Sequence, residues 1–328
     1  MSAKRPEPGL TEIFKTTLAG LDLSPANPFV VALSGGVDSM VLLHLLRSCV
    51  NDLYGESTTV EAIHINHQLH DQADDWAHQV GIWCGQFNVP LQVVRVEVAE
   101  GNRISTEAAA RSARYEALVA NTPDDAIIFT GQHLSDQAET VLLQLKRGAG
   151  PKGLSGMAKK SALQGERQLV RPLLDVQRAD IEAWAQEQKL AWIEDHTNQD
   201  TQYDRNFLRH KIIPQIKQRW PEFEKTVARS ASLCAEQQAL LDSLIDQELK
   251  ARLQGTKLSL TGWELLNPLL QRAILRAWIA HNGHPLPSQA VIKELQKQLL
   301  PADGKGYNLK VSWANVNVQR NRNTLMFH

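Results

Sequence analysis

Cysteine is scarce in this chain. Three occur in 328 residues, Cys49, Cys84 and Cys234, and no two form a Cys-x-x-Cys pair. A disulfide framework, a zinc ribbon and an iron–sulfur site are therefore not expected. No apolar run approaches the ~18 residues that cross a bilayer. Residues 1–9 lack the apolar stretch of a secretory signal, and with free cysteines this points to the cytoplasm. An excess of one charge is also missing: 35 Lys and Arg stand against 36 Asp and Glu, a net charge of −1. Contact with nucleic acid must then come from a local basic patch rather than a bulk field. Internal repeats and low-complexity tracts are absent. What remains is a globular composition, 43% hydrophobic and 22% charged, long enough for about two domains.

The most informative segment present is Ser34-Gly35-Gly36-Val37-Asp38-Ser39. It follows the apolar run 28–33 and precedes the apolar run 40–46, which reads as buried strand, tight turn and helix. Adjacent glycines let the backbone turn sharply and approach a ligand closely. The first helical turn presents unpaired N–H groups and a positive dipole end, which suit phosphate oxygens. Ser34 and Ser39 add hydroxyl donors. Asp38 is the odd residue, because a carboxylate repels phosphate unless a cation such as Mg²⁺ lies between them. A Gly-Gly turn alone is common, and an acidic residue in a first turn suits the helix dipole anyway. The six residues in a strand–turn–helix setting carry the phosphate reading. There is no Gly-Lys-Ser/Thr of a Walker loop and no Gly-x-Gly-x-x-Gly. The segment resembles the pyrophosphate loop of N-type ATP pyrophosphatases, which cleave ATP between its α and β phosphates.

From 28 to 147 short apolar runs alternate with helical patterns. The spacing predicts strands at 29–33, 60–65, 91–96 and 126–130, and helices at 38–49, 71–88, 106–120 and 135–146. This is an α/β, Rossmann-like parallel sheet with helices on both faces. A Gly-rich connector (147–157), a further αβ-like stretch to Asp195 and a long amphipathic helix (222–253) follow. A small α+β domain closes the chain, with helices near 268–281 and 288–300 and strands at 309–313 and 316–320. The expected division is a catalytic domain over 1–220, a linking helix over 221–256 and a small substrate domain over 257–328. Parallel sheets bind ligands beyond the carboxyl ends of their strands, so Ser34, His64 to His67 and Gly131 to His133 should converge.

Gly131-Gln-His-Leu-Ser-Asp-Gln-Ala-Glu-Thr140 follows the fourth strand. Ser135 is the expected N-cap, and Asp136 and Glu139 then share one helical face. Acidic residues in a first turn favour the dipole in any helix. Beside the phosphate loop they can also hold Mg²⁺, bind a cationic amine or position a nucleophile. Arg111 and Arg114 share a face and offer a phosphate fork, against a solvated helix supported by Glu107. His64, His67 and His70 lack companions for zinc and read as strand-end or nucleotide contacts. Trp263, Trp278 and Trp313 read as core. The concentrated basic stretch is 205–229.

These segments together resemble the tRNA(Ile)-lysidine synthases. The resemblance continues through Lys146–Gly150, Gly153–Met157, Arg171–Leu174, Glu194–Asn198 and Arg205–Arg209, about half of the chain in the family's order. It implies ATP-dependent ligation of free lysine to the wobble cytidine of an isoleucine tRNA, with adenylation of the cytidine C2 oxygen and loss of pyrophosphate, then AMP. It implies ATP contacts at Ala32, Ser34, Gly35, Gly36, Val37, Asp38, Ser39, His64, Gly131 and His133, and Mg²⁺ at Asp38 through phosphate. Asp136 and Glu139 would handle lysine, while Arg114 or Arg111 and Arg205 or Arg209 line the site. Asp38, Asp136, Glu139, Arg114 and Arg205 form the expected catalytic set. Arg209, Lys211, Lys217 and Arg219 are the expected tRNA contacts. A homodimer is left open. Gln68-Leu69-His70 departs from the Gly-Leu-Arg of many members, and the third domain many members carry is absent or truncated here. The alternatives are another pyrophosphate-loop enzyme that modifies or amidates, or a non-catalytic RNA-binding module.

Overall fold

Phe29, Val31 and Leu33 face one hydrophobic cluster, and Val30 with Ala32 faces another. A strand apolar on both sides must be covered on both sides. The computed structural model, which describes residues 9–68, 70–97, 106–195, 199–299 and 309–328, shows how. The first strand, β1 (Phe29–Ala32), lies between β2 (Val60–Asn66) and β4 (Ile127–Phe129), parallel to both. β3 (Leu91–Arg95) pairs parallel with β2 at the edge. On one face pack α1 (Leu10–Ala19), α2 (Val37–Tyr54), α3 (Ala73–Gln86) and α7 (Arg178–Glu187), through residues such as Phe14, Leu42, Val80 and Ile181. On the other face α4 (Thr106–Ala120) supplies Tyr115 and Leu118.

Two strands of this sheet escape the sequence pattern. β5 (Lys160–Ala162) and β6 (Gln168–Val170) form a hairpin of three-residue strands. β6 continues the sheet parallel to β4, so the order is β3-β2-β1-β4-β6-β5. Strands this short carry too few residues to show alternation. Successive strands run outward from β1 in one direction and from β4 in the other. The switch point, where a crevice opens at the carboxyl ends, therefore lies between β1 and β4. Their exits are Ser34 and Gly131.

α5 (Leu134–Lys146) follows β4, and α6 (Pro151–Leu154) follows a turn. Further on, α8 (Asp204–Phe207), a π-helical segment (Leu208–Ile212) and α9 (Ile213–Arg219) run consecutively. α10 (Phe223–Lys250) starts within the first compact unit, Met1–Ala235, and ends within the second, Glu236–His328.

The second unit has a five-stranded antiparallel sheet ordered β7-β8-β11-β10-β9: β7 (Leu253–Gln254), β8 (Lys257–Ser259), β9 (Lys310–Trp313), β10 (Val316–Asn321) and β11 (Thr324–Phe327). α11 (Pro268–His281) and α12 (Gln289–Leu299) complete it. Trp263 and Trp278 are buried in its core, and Trp278 donates its indole N–H to the Thr256 carbonyl at 2.9 Å. Trp313 is partly buried against that core. Among the described residues, no helix is long and apolar enough to cross a membrane.

Candidate active site

Gly35 takes φ = +88°, and a Cβ there would stand 2.7 Å from Ile193 Cδ1 and 2.9 Å from Val80 Cγ2. Only glycine tolerates both the conformation and the space. The Ile193 N–H donates to the Gly35 carbonyl at 2.9 Å, which ties a distant segment to the turn. Ser39 is buried and braces the loop, accepting from the Gly35 N–H at 3.2 Å and donating to the Gly36 carbonyl at 2.9 Å. Ser34 is exposed, with its Oγ 3.1 Å from that of Ser39. Ser34 thus presents its hydroxyl to the surface, and Ser39 shapes the turn. Val37 and Asp38 open α2, where N–H groups have no intrahelical acceptor. Ala32 ends β1 directly before this turn.

The second junction lies against the first. A Cβ on Gly131 would meet Asp38 and Ser39 backbone atoms at 3.0–3.1 Å. The N-cap of α5 is His133, which corrects the expectation of Ser135. His133 Nδ1 accepts from the Ser135 N–H at 3.2 Å, and Asp136 accepts from the His133 N–H at 3.0 Å, closing a capping box. With Nδ1 an acceptor, the neutral ring carries its proton on Nε2. That nitrogen faces Asp38 Oδ2 at 3.7 Å and Asp136 Oδ2 at 3.5 Å. His133 is therefore a hinge between two carboxylates that lie 98 positions apart in sequence, Asp38 and Asp136.

Glu139 is fully buried. Arg209 grips it through two bonds, Nε to Oε1 at 2.7 Å and Nη2 to Oε2 at 3.0 Å, and reaches Asp136 Oδ1 at 2.9 Å with Nη2. Arg205 adds Nε at 3.8 Å from Glu139 Oε2 and Nη2 at 3.5 Å from Thr140 Oγ1. Burial raises the Glu139 carboxyl above its ordinary range, and the Arg209 guanidinium pulls against that rise. Asp38 is likewise raised by burial, with His133 and Arg178 opposing. Arg178 has no motif to announce it in sequence. It enters the site's field from α7 while paired with Glu182 at 2.8 Å.

At the end of β2, His64 Nδ1 donates to the Leu33 carbonyl at 2.8 Å and joins the first two strand ends. Arg114 points its Nε and Nη2 at His67 Nε2, each 3.4 Å away. Burial first, then Arg114 and His64, lower His67 to about 4. Arg111 instead lies over the Tyr115 ring, 5.2 Å from its centroid. His70 stacks on Trp76 at 4.7 Å. The Glu107 side chain, Leu69 and 196–198 lie outside the described residues.

The structure thus brings together Ser34–Ser39, Gly131, His133, Asp136, Glu139, Arg205 and Arg209. It divides the basic stretch. Arg209 is held by carboxylates, and Lys217 pairs with Glu224 at 2.5 Å, while Lys211 and Arg219 are exposed. No local pattern announces Arg209 as the partner of Glu139, since 70 positions separate them.

Residues 9–216 match the PP-loop domain and residues 258–326 the TilS substrate binding domain. The chain is similar to the tRNA(Ile)-lysidine synthase of Vibrio atlanticus (strain LGP32), 40% identical over 96% of this chain and 71% of that protein. It is also similar to those of Idiomarina loihiensis, 42% identical over 88% and 64%, and Yersinia pestis, 47% identical over 81% and 57%. The chain thus spans about two thirds of the length of these relatives. Among solved structures, the U34-tRNA thiolase NcsA from Methanococcus maripaludis shares the fold, with a TM-score of 0.55 and 16% identity over 69% of this chain and 78% of that one.

Proposed function

Because the chain belongs to the tRNA(Ile)-lysidine synthase family, we propose that it uses ATP to join free lysine to the wobble cytidine of an isoleucine tRNA, in the cytoplasm. One observation carries this reading. The Ser34–Ser39 turn and the Gly131–Glu139 junction touch at backbone distance, so a phosphate cradle and a carboxylate pair share one crevice.

In the first step the cytidine C2 oxygen attacks the α phosphorus, and the bond to the β phosphate breaks. Negative charge grows on the α-phosphate oxygens. The free N–H groups at the start of α2, the Ser34 hydroxyl and the dipole of that helix stabilise it without reorganising. His64 on β2 and Arg114 on α4 border the crevice and suit the remainder of the nucleotide. Mg²⁺ fits beside Asp38. Asp38 Oδ1 is buried with no hydrogen-bond partner, and Asp136 faces the same His133 nitrogen. No group of three or more potential ligands exists among the described residues, which suits an ion held by one or two carboxylates and substrate phosphates. Such an ion, held by Asp38, would offset the charge of the phosphates.

In the second step the neutral lysine ε-amine attacks C2 and AMP departs. Both Glu139 oxygens are taken by Arg209. Asp136 also accepts, from Arg209 and from the His133 N–H, but unlike the fully buried Glu139 it keeps some exposure; it is the carboxylate that can meet the amine, and Glu139 holds Arg209 in place. Residues 1–220 carry this chemistry, 221–256 link, and 257–328 engage tRNA; the match at 258–326 supports that last assignment. Thiolation is disfavoured by the cysteines themselves, since Cys49 on α2 and Cys84 on α3 are buried in the core and leave Cys234 as the one partly exposed thiol.

The test is pyrophosphate release that depends on ATP and tRNA and turns over only when lysine is added, with mass analysis showing one lysine added to a cytidine. Release without tRNA, or a product that gains sulfur, would overturn the proposal.

A further inference from the structure

Trp220 is 63% exposed, although this chain buries Trp263 to 2% and Trp278 to 0%. An indole left in water forgoes a large burial gain. A loose loop does not explain it. The Trp220 N–H donates to the Ile216 carbonyl at 2.9 Å, and its carbonyl accepts from the Phe223 N–H at 3.0 Å. Pro221 fixes the next backbone angle. Lys217 and the buried Glu224 form an ion pair across the turn at 2.5 Å. The backbone that carries the ring is thus a fixed corner between α9 and α10. Arg219, Trp220, Pro221, Glu222, Phe223 and Thr226 line a groove of 450 Å³ there.

The charges from Arg209 to Lys225, leading up to and past this groove, are sorted. Arg209, Lys217 and Lys225 are ion-paired, and Lys225 neutralises Glu222 at 2.8 Å on the groove itself. Lys211 and Arg219 are exposed and form no ion pair with another described residue. With Gln215 they recur every fourth position on the exposed side of the helical run 208–219. An exposed aromatic face on a fixed backbone corner, beside an uncommitted guanidinium, suits an unpaired nucleobase and its phosphate. Every base offers a π face, and Arg both stacks and forks onto phosphate.

We infer that Trp220 and Arg219 form a stacking site for one unpaired base of the RNA substrate. This rests on the tRNA ligation proposed above. Arg209, at the carboxylates, and Trp220 are separated by the helical run 208–219, a span of roughly 16 Å. The base held is therefore a neighbour of the reacting cytidine in the same loop, not the cytidine itself.

The experiment compares the full chain with Trp220→Ala, Trp220→Phe and Arg219→Gln. Binding of unmodified isoleucine tRNA is followed by filter retention and by quenching of indole fluorescence, and turnover by pyrophosphate release. Trp220→Ala should weaken tRNA binding by between roughly fivefold and a hundredfold and remove part of the quenching. KM for ATP, KM for lysine and Tm should stay unchanged. Trp220→Phe should restore most of the affinity. Arg219→Gln should weaken binding and reduce the salt slope by about one. A merely structural tryptophan would instead lower Tm and disturb every KM. Wild-type affinity and quenching in Trp220→Ala would overturn the stacking site. Failure of the wild type to ligate lysine would overturn the proposed function, while the binding titration, which needs no turnover, still decides the stacking site.

Discussion

Gly131 and Asp38 meet backbone to backbone: a Cβ on Gly131 would stand 3.0 Å from both the carbonyl carbon and the oxygen of Asp38. Neither contacted atom can swing aside as a side chain would. Gly131→Ala must therefore push the exit of β4 away from the first turn of α2. The expected cost is about 1–3 kcal/mol of stability, read by urea denaturation. Because a displacement of about 1 Å can cost ~10² in rate, kcat/KM for ATP should fall by tenfold or more. Wild-type kinetics in this variant would show that the two junctions need not touch.

Asp38 is the acidic residue that a phosphate site should not contain unless a cation is present. Asp38→Ala and the isosteric Asp38→Asn should both reduce pyrophosphate release by at least ~10². tRNA affinity, measured by filter binding, should remain within about twofold, since Asp38 lies in the phosphate cradle and not in the basic stretch. Full turnover in Asp38→Asn would rule out a charge-based role.

The legible parts of this chain are those where one segment carries its own signal. β1 and β4 are apolar on both faces, so they read as continuous runs, and parallel pairing then dictates which end of each holds the site. The Ser34–Ser39 turn announces itself through two glycines. What could not be read depends on partners far along the chain. The Gly35–Ile193 tie and the Arg209–Glu139 grip have no local pattern. His133 caps α5 with a ring nitrogen where Ser135 offered the commoner chemistry. β5 and β6 are too short for period-two alternation.

Arg209 and Glu139 should behave as a unit. Arg209→Ala leaves a fully buried carboxylate without its fork, which costs about 3 kcal/mol or more. The double variant Arg209→Met, Glu139→Leu removes both charges and should recover most of that loss, while activity stays absent. Chemical denaturation of the three proteins checks this. If the double variant is no more stable than the single one, packing rather than the unpaired charge explains the damage.

His67 supplies the pH dependence. Its folded pKa is lowered from 6.5 to about 4, by burial first and then by Arg114 and His64. The folded protein therefore binds fewer protons than the unfolded chain between those values. The stability linked to this ring is fully present above pH ~6.5 and drains away as pH falls toward ~4. The neutral Nε2 accepts from Arg114, so protonation also removes the acceptor that orients this arginine. NMR titration of the ring should give a midpoint near 4. Arg114→Met should raise that midpoint but leave it below 6.5, because burial is the larger cause. A midpoint at about 6 or above in the intact protein would mean that the ring is solvated and does not brace Arg114.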